Sequence, residues 1–223
     1  MRVTGVDACR GGWVAVTLDG TGPAAVRVHE TLAGLLGPGS GTEAAVVTGI
    51  DMPLGLLAAG WREADLAARA RLGPRRSSVF AIPPRAVWEQ ASYQAAGERC
   101  RALTGQGFSI QAWGLRAKLL EADRYRQTCG HPLYEVHPEL AFSAMAGAPL
   151  VHSKHTGAGR GQRRALLGQA GIALPAVLPA RVTDTLDAAA VAWSARRIAA
   201  GEAVVIPGKP QHDERGNEIA IRY

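Results

Sequence analysis

Cysteine is scarce in this chain, and the three present (Cys9, Cys100 and Cys129) stand in no CxxC spacing. That scarcity excludes a disulfide framework and a thiolate zinc site, and it points to a reducing cytoplasm with no disulfide-linked partner. Also missing is any run of roughly 18 uninterrupted apolar residues, so no membrane span is expected. The N-terminus lacks the charged-then-apolar pattern of a signal peptide. There is no internal repeat and no low-complexity tract. What is present is a chain of 223 residues, 47% hydrophobic and 20% charged, the composition of a globular protein with a sizeable core. Its 27 glycines and 13 prolines exceed what a helical bundle carries but fall short of a disordered chain. A formal charge of +6 and a pI near 9.7 attract polyanions without identifying one.

The first third reads as strands separated by turns. Arg2 to Asp7 is an apolar run stopped by an acid, followed by the turn residues Ala8 to Gly12 and a second strand over Trp13 to Leu18. Asp19-Gly20-Thr21-Gly22-Pro23 is a turn, and Ala24 to His29 completes an antiparallel meander. A short helix over Thr31 to Leu36 leads through the linker Gly37 to Gly41 into Ala44 to Asp51, an almost wholly apolar strand of the kind buried on both faces. The pair Gly5-Val6-Asp7 and Gly49-Ile50-Asp51 is the main clue. Adjacent in one sheet, these strands bring their C-terminal ends within about 4.8 Å laterally. Two carboxylates so close repel unless a cation lies between them. A lone Asp commonly does no more than end a strand; two in matching context point to a shared site.

Trp61 to Leu72 has helical spacing, with Asp65 and Arg69 at i and i+4. The irregular basic stretch that follows carries Arg75, Arg76, Ser77, Ser78 and Arg85, a grip for phosphates or simply a proline-broken surface loop. Arg10 in the first turn and Lys154 in the second basic segment (152–164) extend that set of substrate-binding candidates. Gln106 to Gln127 reads as a long helix whose apolar face is Ala112, Leu115, Leu119 and Ala122. Lys118, Glu121, Asp123 and Arg124 form its solvated side.

In the last third, Pro132 to His137 reads as a strand with Leu133, Glu135 and His137 on one face. A carboxylate and an imidazole on one side suit metal binding or acid/base work. Glu139 opens the next helix, as a partner for its dipole. Thr183 or Asp184 caps an Ala-rich amphipathic helix in which Asp187 lies one turn after Asp184. A tail over Ala203 to Ile206 and Asp213 to Tyr223 supplies an edge strand and a closing strand or arm. Asp7, Asp51, Glu135 and Asp187 together are hard oxygen donors suited to Mg²⁺ or Mn²⁺. With two ions roughly 4 Å apart, such a set hydrolyses phosphodiesters. The expected fold is α/β, a single RNase H-like domain over 1–223 with a mixed five-stranded sheet of order 3-2-1-4-5, helices on both faces and a helical and basic-loop insertion at about 58–105.

The segments GVDACRGGWVAV (5–16), IDMPLGL (50–56), READLAAR (62–69), LGPRRSSVFAIPPR (72–85), YEVHPELAFSAM (134–145), DTLDAAAVAW (184–193) and AIRY (220–223) resemble the DUF429 family of uncharacterised, predicted RNase H-like nucleases. The resemblance runs along nearly the whole chain, and it implies the fold just named and a nuclease activity. DTLDAAAVAW also resembles the last-helix acidic motif of Holliday-junction resolvases. By that similarity Asp7, Asp51, Asp184 and Asp187 are metal ligands, with Glu135 as the alternative third-strand acid. His137, Arg75, Arg76, Ser77 and Ser78 match family motifs that assign them no role, and His137 is a catalytic candidate only from the strand face it shares with Glu135. Ala8 stands where the family's first motif has glycine.

The reading that follows is a nuclease with two Mg²⁺ or Mn²⁺ ions and a nucleic-acid partner. A different class stays open: a non-catalytic nucleic-acid or nucleotide-binding module of the same fold, its acids structural. A phosphoryl-transfer enzyme of the sugar-kinase and actin type shares the strand order, but the chain is short for its two lobes.

Overall fold

The computed structural model describes residues 1–20, 22–40 and 45–223. Thr21 of the expected turn, Gly41 of the expected linker and Ala44 at the expected strand start lie outside them. The strands are β1 (Arg2–Cys9), β2 (Gly12–Asp19), β3 (Ala25–His29), β4 (Val47–Ile50), β5 (Leu133–Glu135), β6 (Val205–His212) and β7 (Glu218–Arg222). The helices are α1 (Leu32–Leu36), α2 (Glu63–Leu72), α3 (Arg85–Trp88), α4 (Tyr93–Thr104), α5 (Ile110–Trp113), α6 (Arg116–Thr128), α7 (Pro138–Ala146), α8 (Gly157–Gln169) and α9 (Val182–Ala200), with a 3₁₀ segment at Gly73–Ser78.

The main sheet has the order β3-β2-β1-β4-β5. The meander of β1, β2 and β3 is antiparallel, whereas β1–β4 and β4–β5 are parallel pairs. Side-chain alternation divides the sheet cleanly. Val3, Val14, Val16 and Val47 face a core completed by α7, α8 and α9. Val6, Trp13, Ala15, Ile50 and Leu133 face the opposite core, with α1 and α6. Glycine sets the spacing of the first layer: a Cβ on Gly5 would overlap the backbone of Ala188 and Ala192 in α9, so the helix lies directly on the strand.

Several local expectations are corrected. The run at 106–127 divides at Gly114 into α5 and α6. Asp123 is buried rather than solvated, because Arg85 and Arg215 supply its counter-charge. Glu121 accepts from Trp13 Nε1 (3.0 Å) and the Leu32 amide (2.7 Å), tying α6 to the sheet and to α1. Asp65 and Arg69 go to different partners: Asp65 accepts from the Ile82 amide, and Arg69 donates to the Val79 carbonyl. The cap of α9 is Arg181, so Thr183 and Asp184 lie inside its first turn. That helix is buried from Thr185 to Ala192, because the sheet covers one side and α7 and α8 the other, leaving it short of an amphipathic pattern. The tail is a separate β6–β7 hairpin that touches the main sheet through the Val136–Arg222 bridge. Among the described residues no helix is long and apolar enough to cross a membrane, and the three cysteines are unpaired.

Candidate functional site

Parallel pairing puts Val3 opposite Val47, Gly5 opposite Gly49 and Val6 opposite Ile50. One step further along each strand come Asp7 and Asp51, both on the α9 side of the sheet by alternation. The Asp51 amide still donates to the Val6 carbonyl (2.8 Å), so Asp51 follows the end of β4 in register, while Asp7 remains paired with Val14 inside β1. The first two turns of α9 bring Asp184 and Asp187 to the same edge. All four border one cavity of about 500 Å³, together with Glu135, His137, Glu139, Arg75, Ser77, Ser78 and Lys154.

Burial and crowding set the electrostatics. Asp7 is pushed well above the usual carboxylate range by burial and then by the charges of Asp51 and Asp187, against a smaller opposing pull from Lys154. Burial and then Asp187 raise Asp51 to about 8. Burial also raises Asp187, opposed by Lys154, whose ammonium is bonded to the Asp187 carboxylate. Burial works against the Lys154 charge, but Asp187, Asp51 and Asp7 more than reverse that, and its ammonium is held firmly protonated. Asp184 accepts from the Thr183 hydroxyl at 2.9 Å.

Glu135 stands apart for a reason of register. It is opposite Ile50 in β5, so it projects to the face away from α9. There Arg62 meets both its carboxylate oxygens at 2.6 Å and the Leu54 amide donates at 2.7 Å. Arg62 also lies 3.6 Å from Asp65, forming a buried triad, and burial with the nearby Glu135 charge raises Asp65 to about 7 despite Arg62. His137 borders the cavity with Nε2 at 3.1 Å from the Ser78 carbonyl. Its buried Nδ1 has no partner, and burial lowers its pKa.

The other sequence candidates divide. Arg75, Ser77, Ser78 and Lys154 border the cavity, whereas Arg10, Arg76 and Arg85 do not. Arg10 and Arg76 are exposed. Arg85 is engaged with both carboxylate oxygens of Asp123. Glu139, read from sequence as a dipole partner, borders the cavity and is paired with the fully buried Arg163. Sequence reasoning also missed Arg62, because its partner Glu135 is 73 residues away and leaves no local signal.

The donor chemistry suits a hard divalent ion: Asp7, Asp51, Asp184 and Asp187 offer only carboxylate oxygens, and the buried ones destabilise one another's charge. Among the described residues no group of three or more His, Cys, Asp or Glu side chains is placed so that it could hold a metal ion. The acids share a cavity without converging on one point, and Lys154 is the cation among them.

Residues 5–212 match the family model described as "Protein of unknown function (DUF429)". No curated protein and no solved structure matches the chain.

Proposed function

The chain belongs to the DUF429 family, and we propose that its carboxylate cavity is the centre of a Mg²⁺- or Mn²⁺-dependent nuclease with an RNase H-like fold. The observation that carries this reading is the company Asp7 keeps: a buried carboxylate whose charge is opposed by Asp51, Asp187 and Asp184 around one cavity. Such a cluster is stable as anions only when cations of matching charge join it. Asp7, Asp51, Asp184 and Asp187 would hold the ions, and bound ions supply water activation and stabilisation of the leaving oxygen. Glu135 is not among the proposed ligands, since Arg62 and the Leu54 amide already engage it.

The remaining residues act on substrate or on the cavity wall. Lys154 balances Asp187 in the metal-free protein and turns to a phosphate oxygen when the acids are otherwise neutralised. Ser77, exposed beside the cavity, donates its hydroxyl to the same phosphate. His137 is kept neutral by burial, donating Nε2–H to the Ser78 carbonyl and so holding that wall of the cavity in place.

The test is cleavage of single-stranded, duplex, hybrid and branched DNA and RNA with Mg²⁺ or Mn²⁺. Divalent-dependent cleavage that Asp7→Asn abolishes supports the reading; no cleavage of any substrate with either ion refutes it. The Lys154–Asp187 bond favours a second reading, a metal-free binding module, in which an internal cation already balances the acid. Nucleotide binding that persists in a chelator and survives Asp51→Asn would support that alternative.

A further inference from the structure

Many of the chain's arginines are turned into its own oxygens, whereas Arg10 and Arg76 are exposed and do not border the cavity. Arg75 donates to the carbonyls of Leu150 (2.7 Å) and Val151. Arg116, Arg126 and Arg196 donate to the carbonyls of Trp88, Glu218 and Ala170. Arg62 and Arg163 are buried against Glu135 and Glu139. At the cavity, seven acidic side chains meet two lasting cations, Arg75 and Lys154, and Lys154 is bonded to Asp187. A protein that grips a duplex along its backbone places one unengaged cation per phosphate contacted. Among the described residues no such row borders this cavity.

Shape points the same way. About 500 Å³ falls within the range of small-ligand sites, about 300–1,000 Å³. The two walls are joined: Arg75 links the 3₁₀ segment to Leu150 and Val151, and the Ser78 carbonyl meets His137 Nε2 at 3.1 Å. Phe80 and Leu115 add apolar surface of the kind on which one base can rest.

We infer that the site takes a single-stranded phosphodiester of one or two nucleotides rather than a duplex held along its backbone. This rests on the metal-dependent reading of the same carboxylates. A free dinucleotide and the terminus of a strand present the same chemistry, so the experiment separates them.

Fluorescence anisotropy in Mn²⁺ would follow four labelled probes with phosphorothioate linkages: a dinucleotide, a linear single strand, a circular single strand and a blunt duplex. The dinucleotide or the linear strand, or both, should bind at least tenfold more tightly than the circle and the duplex. Binding by the linear strand alone assigns the terminus, and binding by the dinucleotide alone assigns the free compound. Raising salt from about 50 to 200 mM should weaken binding only about 3- to 7-fold, as one or two phosphate contacts require. Duplex or circle binding as tight as the dinucleotide, or a salt loss of about 10³-fold, overturns the inference while leaving the nuclease reading intact. If Mn²⁺ changes the binding of no probe, both fall together.

Discussion

Gly5 of β1 lies against Ala192 of α9 with no room for a methyl group, since a Cβ there would overlap the Ala192 backbone nitrogen. The contact seats the helix that carries Asp187 on the strand that carries Asp7. Gly5→Ala must therefore push α9 outward, as overpacking against backbone cannot be relieved by a rotamer change. Urea denaturation should show a loss of about 2 kcal/mol or more. The thermal shift produced by Mn²⁺ should shrink with it. A variant of native stability would mean that the helix has slack here.

The raised carboxylates give the metal-free protein a definite pH response. Asp51 at about 8 and Asp65 at about 7 lie above the unfolded value of about 3.9, so the folded state holds more protons. Their stabilising contribution is complete below the unfolded value and is lost as pH rises through about 7 and then 8. Denaturation in a chelator should thus show lower stability at pH 9 than at pH 6. Divalent ions should restore stability at the higher pH and release protons on binding, measurable by calorimetry in buffers of different ionisation enthalpy. A gain in stability toward pH 9 would contradict the crowding of these acids.

Glu135 and Asp51 sit on neighbouring strands, and neutralising them should have opposite effects. Glu135→Gln leaves Arg62 buried beside a weakened partner, a loss of about 3–5 kcal/mol by the usual cost of breaking such a pair. Mn²⁺ binding per folded molecule should be unchanged. Asp51→Asn removes a repelled carboxylate, so the metal-free protein should be at least as stable at pH 8 while its response to Mn²⁺ disappears. Melting curves with and without the ion distinguish the two cases.

The contrast shows what a sequence discloses. Asp7 and Asp51 were legible because each ends an apolar run after the same Gly-X-Asp pattern, and parallel pairing of two such strands leaves them side by side. Asp184 and Asp187 were legible from helical spacing. Glu135 was legible as a strand-end acid that borders the cavity, but its engagement by Arg62 was not, because the register that turns it away from α9 leaves no local trace. The basic residues were the least readable: whether an arginine meets solvent or a carbonyl depends on partners far along the chain, as Arg75 with Leu150 illustrates.

Lys154 gives a fourth expectation. Its ammonium occupies the position of a counter-ion to Asp187, and its side chain is 37% exposed, so solvent tempers the pairing. Lys154→Gln should lower metal-free stability modestly, by about 1 kcal/mol. Mn²⁺ should bind more tightly, by about threefold or more, as the internal competitor is gone. Electron paramagnetic titration of free Mn²⁺ reads this directly, and equal or weaker affinity would remove Lys154 from competition.

The register of β1 and β4 has one more consequence for Asp7 and Asp51. The ladder of β1 and β4 ends at Val6 and Ile50, one residue before each acid, and the Asp51 amide bond to the Val6 carbonyl extends it, so side-chain motion cannot stretch the backbone that carries them. Under the proposed function, accommodation to ionic radius, such as calcium with oxygen distances of about 2.3–2.6 Å against about 2.0–2.1 Å for magnesium, would fall to the carboxylate side chains, because α9 is itself seated on Gly5. Sheet and helix are then both fixed jaws, and the rotamers of the carboxylates are what is left to adjust.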